Sequence, residues 1–370
     1  MESNNHNGKI PGEVDMCKPL AKFREAILSD LSKTKVAILM HENPDPDCIG
    51  SALGLTKILA TWNPEIKCTY IYGGEISHSQ NKTLVNVLSI PLVHHSEIDS
   101  FETETYDHLI CVDVTPERSL DIYTEEPCER KCLMVIDHHR TETERADIVD
   151  IRVVGATASI VFDYLLKEEI KFDKNNDDDE RVATALLVGI KTDTQDFVSE
   201  AVTDLDFEAY RYLIEYVDRT KLSSIINYSY PSYQFELRSQ LDIKDNFKME
   251  NGIFVGGIGF ISPSKRDVLP ILAEERSRLE EINTAFVFAI VGDHIEVSIR
   301  NISLAIDVNA LCQKIFGKQY AGGKLGAGAA KLPLAFFHNP NATQEVKDKQ
   351  WEFTKAFLID KIFHIISGNA

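Results

Sequence analysis

Residues 36–47 read VAILMHENPDPD, an apolar run followed directly by His41, Asp45 and Asp47. An apolar run with β-branched residues is typical of a buried strand, and ligand-type side chains at its C-terminal end lie where open α/β sheets bind their ligands. Three ionisable groups so close together would repel each other or lose solvation unless a positive charge neutralised them. The stretch therefore predicts a divalent cation at the end of a buried strand.

The same arrangement recurs three more times along the chain. Two further apolar runs end in Asp113 and in Asp137-His138-His139, and a third run, 185–190, leads into Asp193. Taken alone, Asp113 could cap a helix, and a lone histidine is more often a surface residue than a ligand. Four such arrangements in order, however, predict one metal site built from imidazole and carboxylate groups.

Composition excludes several classes of protein. With 370 residues, the chain is long enough for two domains that each bury a core. The net charge of −19 argues against binding of long duplex nucleic acid, because such binding relies on Lys and Arg to neutralise many phosphates. A small anionic substrate is compatible with this charge, since metal ions and a few basic residues can dominate the field in one site.

Targeting and redox signals favour the cytoplasm. No apolar run approaches the length that crosses a bilayer, so no membrane partner is expected. Residues 1–8 are polar and lack the basic and apolar regions of a secretory signal. The seven cysteines have no paired spacing, which favours reduced thiols over disulfides and zinc sites.

Hydrophobic periodicity predicts an α/β protein with two domains. Strands alternate with helices from about residue 35 to 195, which is typical of a mostly parallel sheet with flanking helices. The acidic run 173–180 predicts a surface loop before a helix that begins near Arg181. The expected divisions are a polar tail and helix over 1–34, a metal-binding domain over 35–225, a connector over 226–246 and a smaller α/β domain over 247–370.

Six stretches together carry a family resemblance. They are 41–47 with Gly50-Ser51, then Asp113, then Asp137-His138-His139, then Asp193 within 189–194, and in the second domain Ser298-Ile299-Arg300-Asn301 and Ala321-Gly322-Gly323-Lys324. As an ordered set, covering most of residues 35–335, they resemble the DHH phosphoesterase superfamily in the branch with a C-terminal DHHA1 domain. The resemblance implies a DHH catalytic domain followed by a DHHA1-like substrate-binding domain, with the active site in the cleft between them.

The resemblance also implies a pair of divalent ions in the first domain, usually manganese. Mixed imidazole and carboxylate ligands are consistent with manganese, and the sequence leaves magnesium, iron and cobalt open. Asp137 would orient a histidine, and the sequence leaves open which of His138 and His139 binds metal. By motif, His41, Asp45 and Asp113 would hold one ion, Asp47, Asp113, His138 and Asp193 would hold the other, Asp113 would bridge the two, and His139 would face the substrate phosphate. The catalytic residues implied are Asp113, His138 and His139.

The second domain carries candidate substrate-binding residues. Arg300 ends a predicted strand, where an arginine can hold a phosphate through two hydrogen bonds. Gly322 and Gly323 would let backbone N–H groups approach an anion, and Lys324 adds charge where the family usually has a histidine. Alternatively, Arg300 could form a surface salt bridge and Lys324 could simply be solvated.

These features predict a metal-dependent phosphoesterase that acts on small nucleotides. Two ions about 3.5–4 Å apart can activate a water molecule and stabilise both the attacking and the leaving oxygen. The implied substrates are short oligoribonucleotides, 3′-phosphoadenosine 5′-phosphate and dinucleotides, and a homodimer is compatible with the sequence. Two alternatives stay open: a hydrolase of the inorganic pyrophosphatase or exopolyphosphatase type, and a catalytically silent nucleotide-binding protein.

Overall fold

The computed structural model describes residues 17–76, 78–101, 105–124, 128–303, 305–324 and 326–368. The chain divides into two compact units, one ending at Tyr228 and the other beginning at Ser229. The predicted polar tail falls largely on residues 1–16, which lie outside the described residues. Within the described part of the chain, none of the helices combines the length and the apolar character needed to cross a bilayer.

The first unit is built on a parallel sheet. Its described strands are β1 (Lys35–Leu39), β2 (Lys67–Tyr72), β3 (Leu92–His94), β4 (His108–Val112), β5 (Cys132–Asp137) and β6 (Ala146–Ile151). They are ordered β3-β2-β1-β4-β5-β6 and pair in parallel throughout. The chain therefore runs outward from β1 on one side and from β4 on the other, which makes the β1/β4 junction the switch point where such sheets place their sites.

Helices cover this sheet and bury its apolar side chains. They are α1 (Cys17–Leu28), α2 (Pro46–Trp62), α3 (Ser79–Val87), α4 (Leu120–Tyr123), α5 (Thr157–Lys167), α6 (Asp177–Asp193), α7 (Asp204–Leu213) and α8 (Arg219–Ile226). Ile38 and Met40 of the β1 region are fully buried in one core with Ile49 of α2 and Leu186 of α6. The arrangement confirms the predicted sheet with flanking helices.

One predicted boundary is wrong. The acidic run before Arg181 is not a loop, because α6 already begins at Asp177. The Asn176 side chain accepts hydrogen bonds from the amides of Asp178 and Asp179 and so caps the helix. Acidic residues in the first turn also interact favourably with the helix dipole, which explains why a run of carboxylates starts a helix here.

The second unit contains a mixed sheet. Its described strands are β7 (Phe247–Glu250), β8 (Ile253–Ile261), β9 (Thr284–Val291), β10 (His294–Asn301), β11 (Ala321–Lys324) and β12 (Ala327–Pro333), in the order β11-β12-β10-β9-β8-β7. Strands β8 and β9 are parallel, and the other neighbours are antiparallel. The helices are α9 (Ser232–Leu241), α10 (Val268–Ser277), α11 (Val308–Phe316) and α12 (Gln344–Ser367).

Two apolar cores lie in this unit. One includes Leu272 of α10 and Val287 of β9, and the other includes Phe288 of β9, Cys312 of α11 and Ile362 of α12. The stretch 226–246, predicted as a connector, contains α9, and Leu241 at the end of α9 is fully buried in the first of these cores. The chain thus has a second unit, built on a mixed sheet, as the predicted two-domain α/β fold requires.

Candidate metal centre

Three neighbouring strands deliver candidate ligands to one edge of the first sheet. His41 lies two residues beyond the end of β1, and Asp113 directly follows β4. His138 and His139 directly follow β5. Because β1, β4 and β5 are adjacent and parallel, their carboxyl ends meet, and these side chains converge at the switch point.

The remaining candidates come from the ends of two helices. Asp45 caps α2, and its Oδ1 atom accepts hydrogen bonds from the amides of Asp47 and Cys48 at 3.0 and 3.1 Å. Asp47 lies in the first turn of α2, and Asp193 is the last residue of α6. The helix ends therefore add three carboxylates to the residues supplied by the strands.

Two glycines allow α2 and α6 to pack closely. A Cβ atom on Gly50 of α2 would lie 2.6 Å from a carbonyl oxygen of α6, and one on Gly189 of α6 would lie 2.8 Å from a carbonyl oxygen of α2. Backbone atoms cannot rotate away as side chains can, so neither position tolerates a larger residue without a shift of the helices. This close packing sets Asp47 and Asp193 beside the same histidine.

His41 lies among the first group of potential ligands. Its Nε2 atom is 3.5 Å from Asp45 Oδ2 and 3.9 Å from Asp113 Oδ2. Cys48 Sγ is also near the ligand atoms of His41 and Asp45, and it donates a hydrogen bond to the Asp45 carbonyl oxygen at 3.4 Å. Burial acts to lower the pKa of His41, but the charge and hydrogen bond of Asp45 together with the charges of Asp47 and Asp193 outweigh burial and raise the pKa.

His138 lies among the second group. Its Nε2 atom is 2.9 Å from Asp193 Oδ2, 3.6 Å from Asp113 Oδ1 and 3.9 Å from Asp47 Oδ2. The opposite ring atom, Nδ1, is 3.1 Å from the Val154 carbonyl oxygen, to which only an N–H can donate. Nε2 is thereby left to face the carboxylates, as in metal-binding histidines whose other nitrogen is held by a carbonyl.

The His138 Nε2 atom is a buried polar atom without a hydrogen-bond partner among the described residues. Its 2.9 Å contact with Asp193 Oδ2 is an ion pair that requires a protonated His138 when no cation is bound. A buried nitrogen that faces three carboxylates in this way fits a cation held between them. On this observation, the residues present fit a divalent ion.

His139 has a different environment. Its Nδ1 atom is 2.8 Å from Asp137 Oδ1, which also accepts the His139 backbone N–H at 2.9 Å. The His139 side chain is 45% exposed, whereas that of His138 is 10% exposed. Asp137 thus orients the ring of His139. Burial acts to raise the pKa of Asp137, but the hydrogen bonds from His139 outweigh burial and lower it.

The N-terminus of α5 holds two of the carboxylates. Asp47 accepts hydrogen bonds from the amides of Thr157 and Ala158 at 2.7 and 2.8 Å, and the Thr157 hydroxyl donates to Asp113 Oδ1 at 2.9 Å. Thr157 and Ala158 are not among the site residues expected from the sequence. The run of small and hydroxyl residues at 155–159, ahead of an apolar helix, is the helix-start signal that could have identified them.

Like charges dominate the site. Burial and the charge of Asp193 raise the pKa of Asp47 to about 8. Burial and the neighbouring carboxylates raise the pKa of Asp113 well above its ordinary value. Burial acts to raise the pKa of Asp45 too, but His41 and the hydrogen bonds from the amides of Asp47 and Cys48 together lower the pKa to about 2. Such a cluster needs cations, and imidazole with carboxylate donors suits manganese and similar divalent ions.

Asp113 also has an unusual backbone. Its φ of +59° lies in the left-handed region, which costs a non-glycine residue about 1–2 kcal/mol. The strain is offset locally, because the Asp113 amide donates to the Ile136 carbonyl oxygen at 2.8 Å. The turn directs the Asp113 carboxylate towards both His41 and His138.

Three of the four predicted residues of the second unit line one cavity of about 750 Å³. The three are Arg300, Gly322 and Gly323. The lining also includes Arg266, Lys318 and Tyr320, which were not expected from the sequence. Burial lowers the pKa of Arg300.

One of the expected phosphate contacts differs in the structure, and another falls outside the described atoms. The Gly323 amide donates to Asn309 Oδ1 at 3.1 Å, so this N–H is already used. Lys324 is the last residue of β11, and its side chain lies outside the described atoms.

A family comparison agrees with the geometry of the first unit. The model described as "DHH family, N-terminal domain" matches residues 35–190. The chain belongs to the DHH family. The match covers β1 to β6 and most of α6, and so contains every candidate ligand of the metal centre except Asp193. Together with the relatives named as oligoribonucleases and PAP phosphatases, this membership indicates a phosphoester hydrolase.

Individual relatives extend the likeness beyond that DHH region. The uncharacterized protein MJ1633 of Methanocaldococcus jannaschii is 33% identical over 94% of this chain, which spans 67% of that protein. The bifunctional oligoribonuclease and PAP phosphatase NrnA of Bacillus subtilis is 27% identical over 78% of this chain and 87% of its own length. The crystal structure of an exopolyphosphatase-related protein from Bacteroides fragilis has a TM-score of 0.64 at 16% identity, covering 94% of this chain and 99% of that one. The last likeness concerns the fold alone.

Proposed function

We propose that this DHH-family chain is a metal-dependent hydrolase of phosphodiester or phosphomonoester bonds in small nucleotides. The observation that carries the proposal is the convergence of two histidines and four aspartates on one edge of the first sheet, where the buried His138 Nε2 faces Asp47, Asp113 and Asp193. Divalent ions, when bound there, would lower the pKa of a water molecule and stabilise the oxygens of an in-line displacement.

The ligands divide into two sets that share Asp113. His41, Asp45 and Asp113 would hold one ion, and Asp47, Asp113, His138 and Asp193 would hold the other. The bridging role is supported by the two oxygens of Asp113, since Oδ2 faces His41 and Oδ1 faces His138. Manganese is the proposed metal, with magnesium or cobalt as substitutes.

His139 is proposed to contact the substrate phosphate. Asp137 holds its Nδ1–H, which leaves Nε2 as the ring atom available to a phosphate oxygen. The greater exposure of His139 supports this role over that of a metal ligand. Asp137 acts through the histidine by fixing its orientation.

The second unit is proposed to bind nucleotide in its 750 Å³ cavity. The volume is in the range of small-molecule sites. Arg300 and Lys318 supply positive charge for phosphate groups, and Tyr320 offers an aromatic surface to a base. NrnA of Bacillus subtilis is named as an oligoribonuclease and PAP phosphatase, which supports small nucleotides as the substrate class.

A substrate panel with manganese tests the proposal. It contains RNA dinucleotides, 3′-phosphoadenosine 5′-phosphate, cyclic dinucleotides, pyrophosphate and single-stranded DNA. We expect hydrolysis of one or more of the small nucleotides and little turnover of pyrophosphate. Selective hydrolysis of pyrophosphate would support the pyrophosphatase alternative, and nucleotide binding without turnover would support a silent protein.

A further inference from the structure

One short segment contacts three of the candidate metal ligands. We call residues 154–159 the clasp segment. The Val154 carbonyl oxygen accepts the Nδ1–H of His138, and the amides of Thr157 and Ala158 donate to Asp47. The Thr157 hydroxyl donates to Asp113. Any shift of the clasp segment would therefore move His138, Asp47 and Asp113 together.

The carboxylate of Asp206 in α7 accepts hydrogen bonds from the clasp segment. It is fully buried, and its Oδ2 atom accepts the Gly155 amide at 3.0 Å while its Oδ1 atom accepts the Ser159 hydroxyl at 2.6 Å. The amide and the hydroxyl of Thr203 donate to Oδ2 at 2.7 and 2.8 Å. These four uncharged donors solvate one buried carboxylate, which would otherwise be costly to bury.

Gly155 makes this contact sterically possible. A Cβ atom at Gly155 would lie 2.9 Å from Asp206 Oδ1 and 2.6 Å from the Cγ2 atom of Thr194. The clasp segment therefore packs tightly between Asp206 and the residue that follows Asp193. Asp206 is about fifty residues beyond the clasp segment in the sequence, so no local pattern connects them.

We propose that Asp206 is a positioning residue for the metal centre, which it acts on through the clasp segment. Its described hydrogen bonds go to Gly155, Ser159 and Thr203, and none goes to a candidate ligand. The inference rests on the proposed metal-dependent function. Loss of a group that hydrogen-bonds a metal ligand directly typically weakens metal affinity about 10–100-fold, and Asp206 acts one contact further away, so its loss should have an effect near the lower end of that range.

The test measures manganese affinity and thermal unfolding separately, on the full chain. The dissociation constant is obtained by titrating Mn²⁺ and following the free ion by electron paramagnetic resonance. We expect Asp206→Ala to weaken Mn²⁺ binding about tenfold, and Asp206→Asn to weaken it less, because one oxygen still accepts hydrogen bonds. Ser159→Ala removes a single contact of Asp206 and should have the smallest effect.

The matched control is Tyr164→Phe, which lies in the same helix as Ser159. The Tyr164 hydroxyl donates to buried Asp150, which keeps Arg152 as a partner when the hydroxyl is removed. We expect this variant to unfold at a lower temperature with its Mn²⁺ affinity unchanged. Saturating Mn²⁺ should also restore turnover in Asp206→Ala, because its ligands are all present.

The outcomes separate the two proposals. Mn²⁺ affinity in Asp206→Ala equal to that of the unaltered chain would overturn the positioning role and leave the metal-dependent function standing. An unaltered chain that binds no Mn²⁺ would overturn both. If Asp206→Ala does not fold, Asp206→Asn and Ser159→Ala decide the matter, and wild-type affinity in both would contradict the proposal.

Discussion

Gly189 packs directly against the backbone of Asp47: a Cβ atom at Gly189 would lie only 2.9 Å from the Asp47 Cα atom. This contact brings the last turn of α6 to the first turn of α2, and with it Asp193 to Asp47. Both carboxylates face His138. The geometry of the proposed second metal position thus depends on having a glycine, with no side chain, at residue 189.

Gly189→Ala should push the two helices apart. We expect a loss of about 1–3 kcal/mol in the free energy of unfolding, the usual cost of overpacking, together with weaker Mn²⁺ binding. Gly54→Ala is the control in the same helix pair, because a Cβ there would meet the side chains of Val161 and Leu186, which can adjust. Equal Mn²⁺ affinities in titrations of the two variants would contradict the expectation.

Asp113→Asn should abolish hydrolysis in the presence of Mn²⁺. Loss of a group that hydrogen-bonds a metal ligand typically lowers activity about 10–100-fold. Loss of a ligand shared by both ions should lower it further, so we expect the rate to fall by more than about 10²-fold. The metal-free variant should unfold no more easily than the unaltered chain, since it removes one charge from a buried cluster of carboxylates.

Turnover of the best substrate and thermal unfolding in EDTA provide the two measurements for Asp113→Asn. Asp121→Asn is the control, because this carboxylate pairs with Arg145. Normal turnover in Asp113→Asn would exclude the bridging role.

The stability of the metal-free chain should fall as the pH rises from about 6.5 to 9. The pKa of His138 is raised from its ordinary 6.5 to about 9, because Asp193 and Asp47 outweigh the opposing effect of burial. The pKa of Asp47 is raised from 3.8 to about 8 by burial and by Asp193. In each case the folded chain binds more protons than the unfolded chain between the two values, so stability decreases with pH there.

Thermal unfolding in EDTA at several pH values checks this dependence. The double substitution of His138→Asn and Asp47→Asn should flatten the profile, and Mn²⁺ should stabilise the unaltered chain most at high pH, where it no longer competes with protons. A metal-free stability that rises between pH 6.5 and 9 would show that these two groups do not control it.

Arg300→Ala should raise KM for nucleotides about tenfold or more, the equivalent of one lost hydrogen bond to a charged group. Turnover of a minimal phosphodiester such as bis(p-nitrophenyl) phosphate should be nearly unchanged, because it has no nucleotide to anchor. Arg278→Ala is the control, since Arg278 is exposed, pairs with Glu274 and does not line the cavity. Equal effects on both substrates would mean that Arg300 does not bind the nucleotide.

Local sequence patterns were sufficient for the fold class and for the strand-end ligands. An apolar strand followed by Asp or His is visible in a few consecutive residues, and parallel strands necessarily end at the same edge of a sheet. The sequence alone could therefore assign His41, Asp113 and His138 to one place. It could not assign the start of α6, because the capping residue and the dipole interaction compete with the polar, loop-like composition of the same residues.

Tertiary packing alone decided how the ligands are oriented. The sequence Asp137-His138-His139 does not reveal which imidazole faces the carboxylates. The ring of His138 is oriented by the Val154 carbonyl oxygen, and the ring of His139 is oriented by Asp137. Likewise, Asp206 meets Gly155 only because α7 returns to the start of α5. Hydrophobic periodicity shows which face of a helix or strand is buried. Contacts between residues far apart in the chain depend instead on how whole helices and strands pack against each other, and no local pattern in a single sequence specifies this packing.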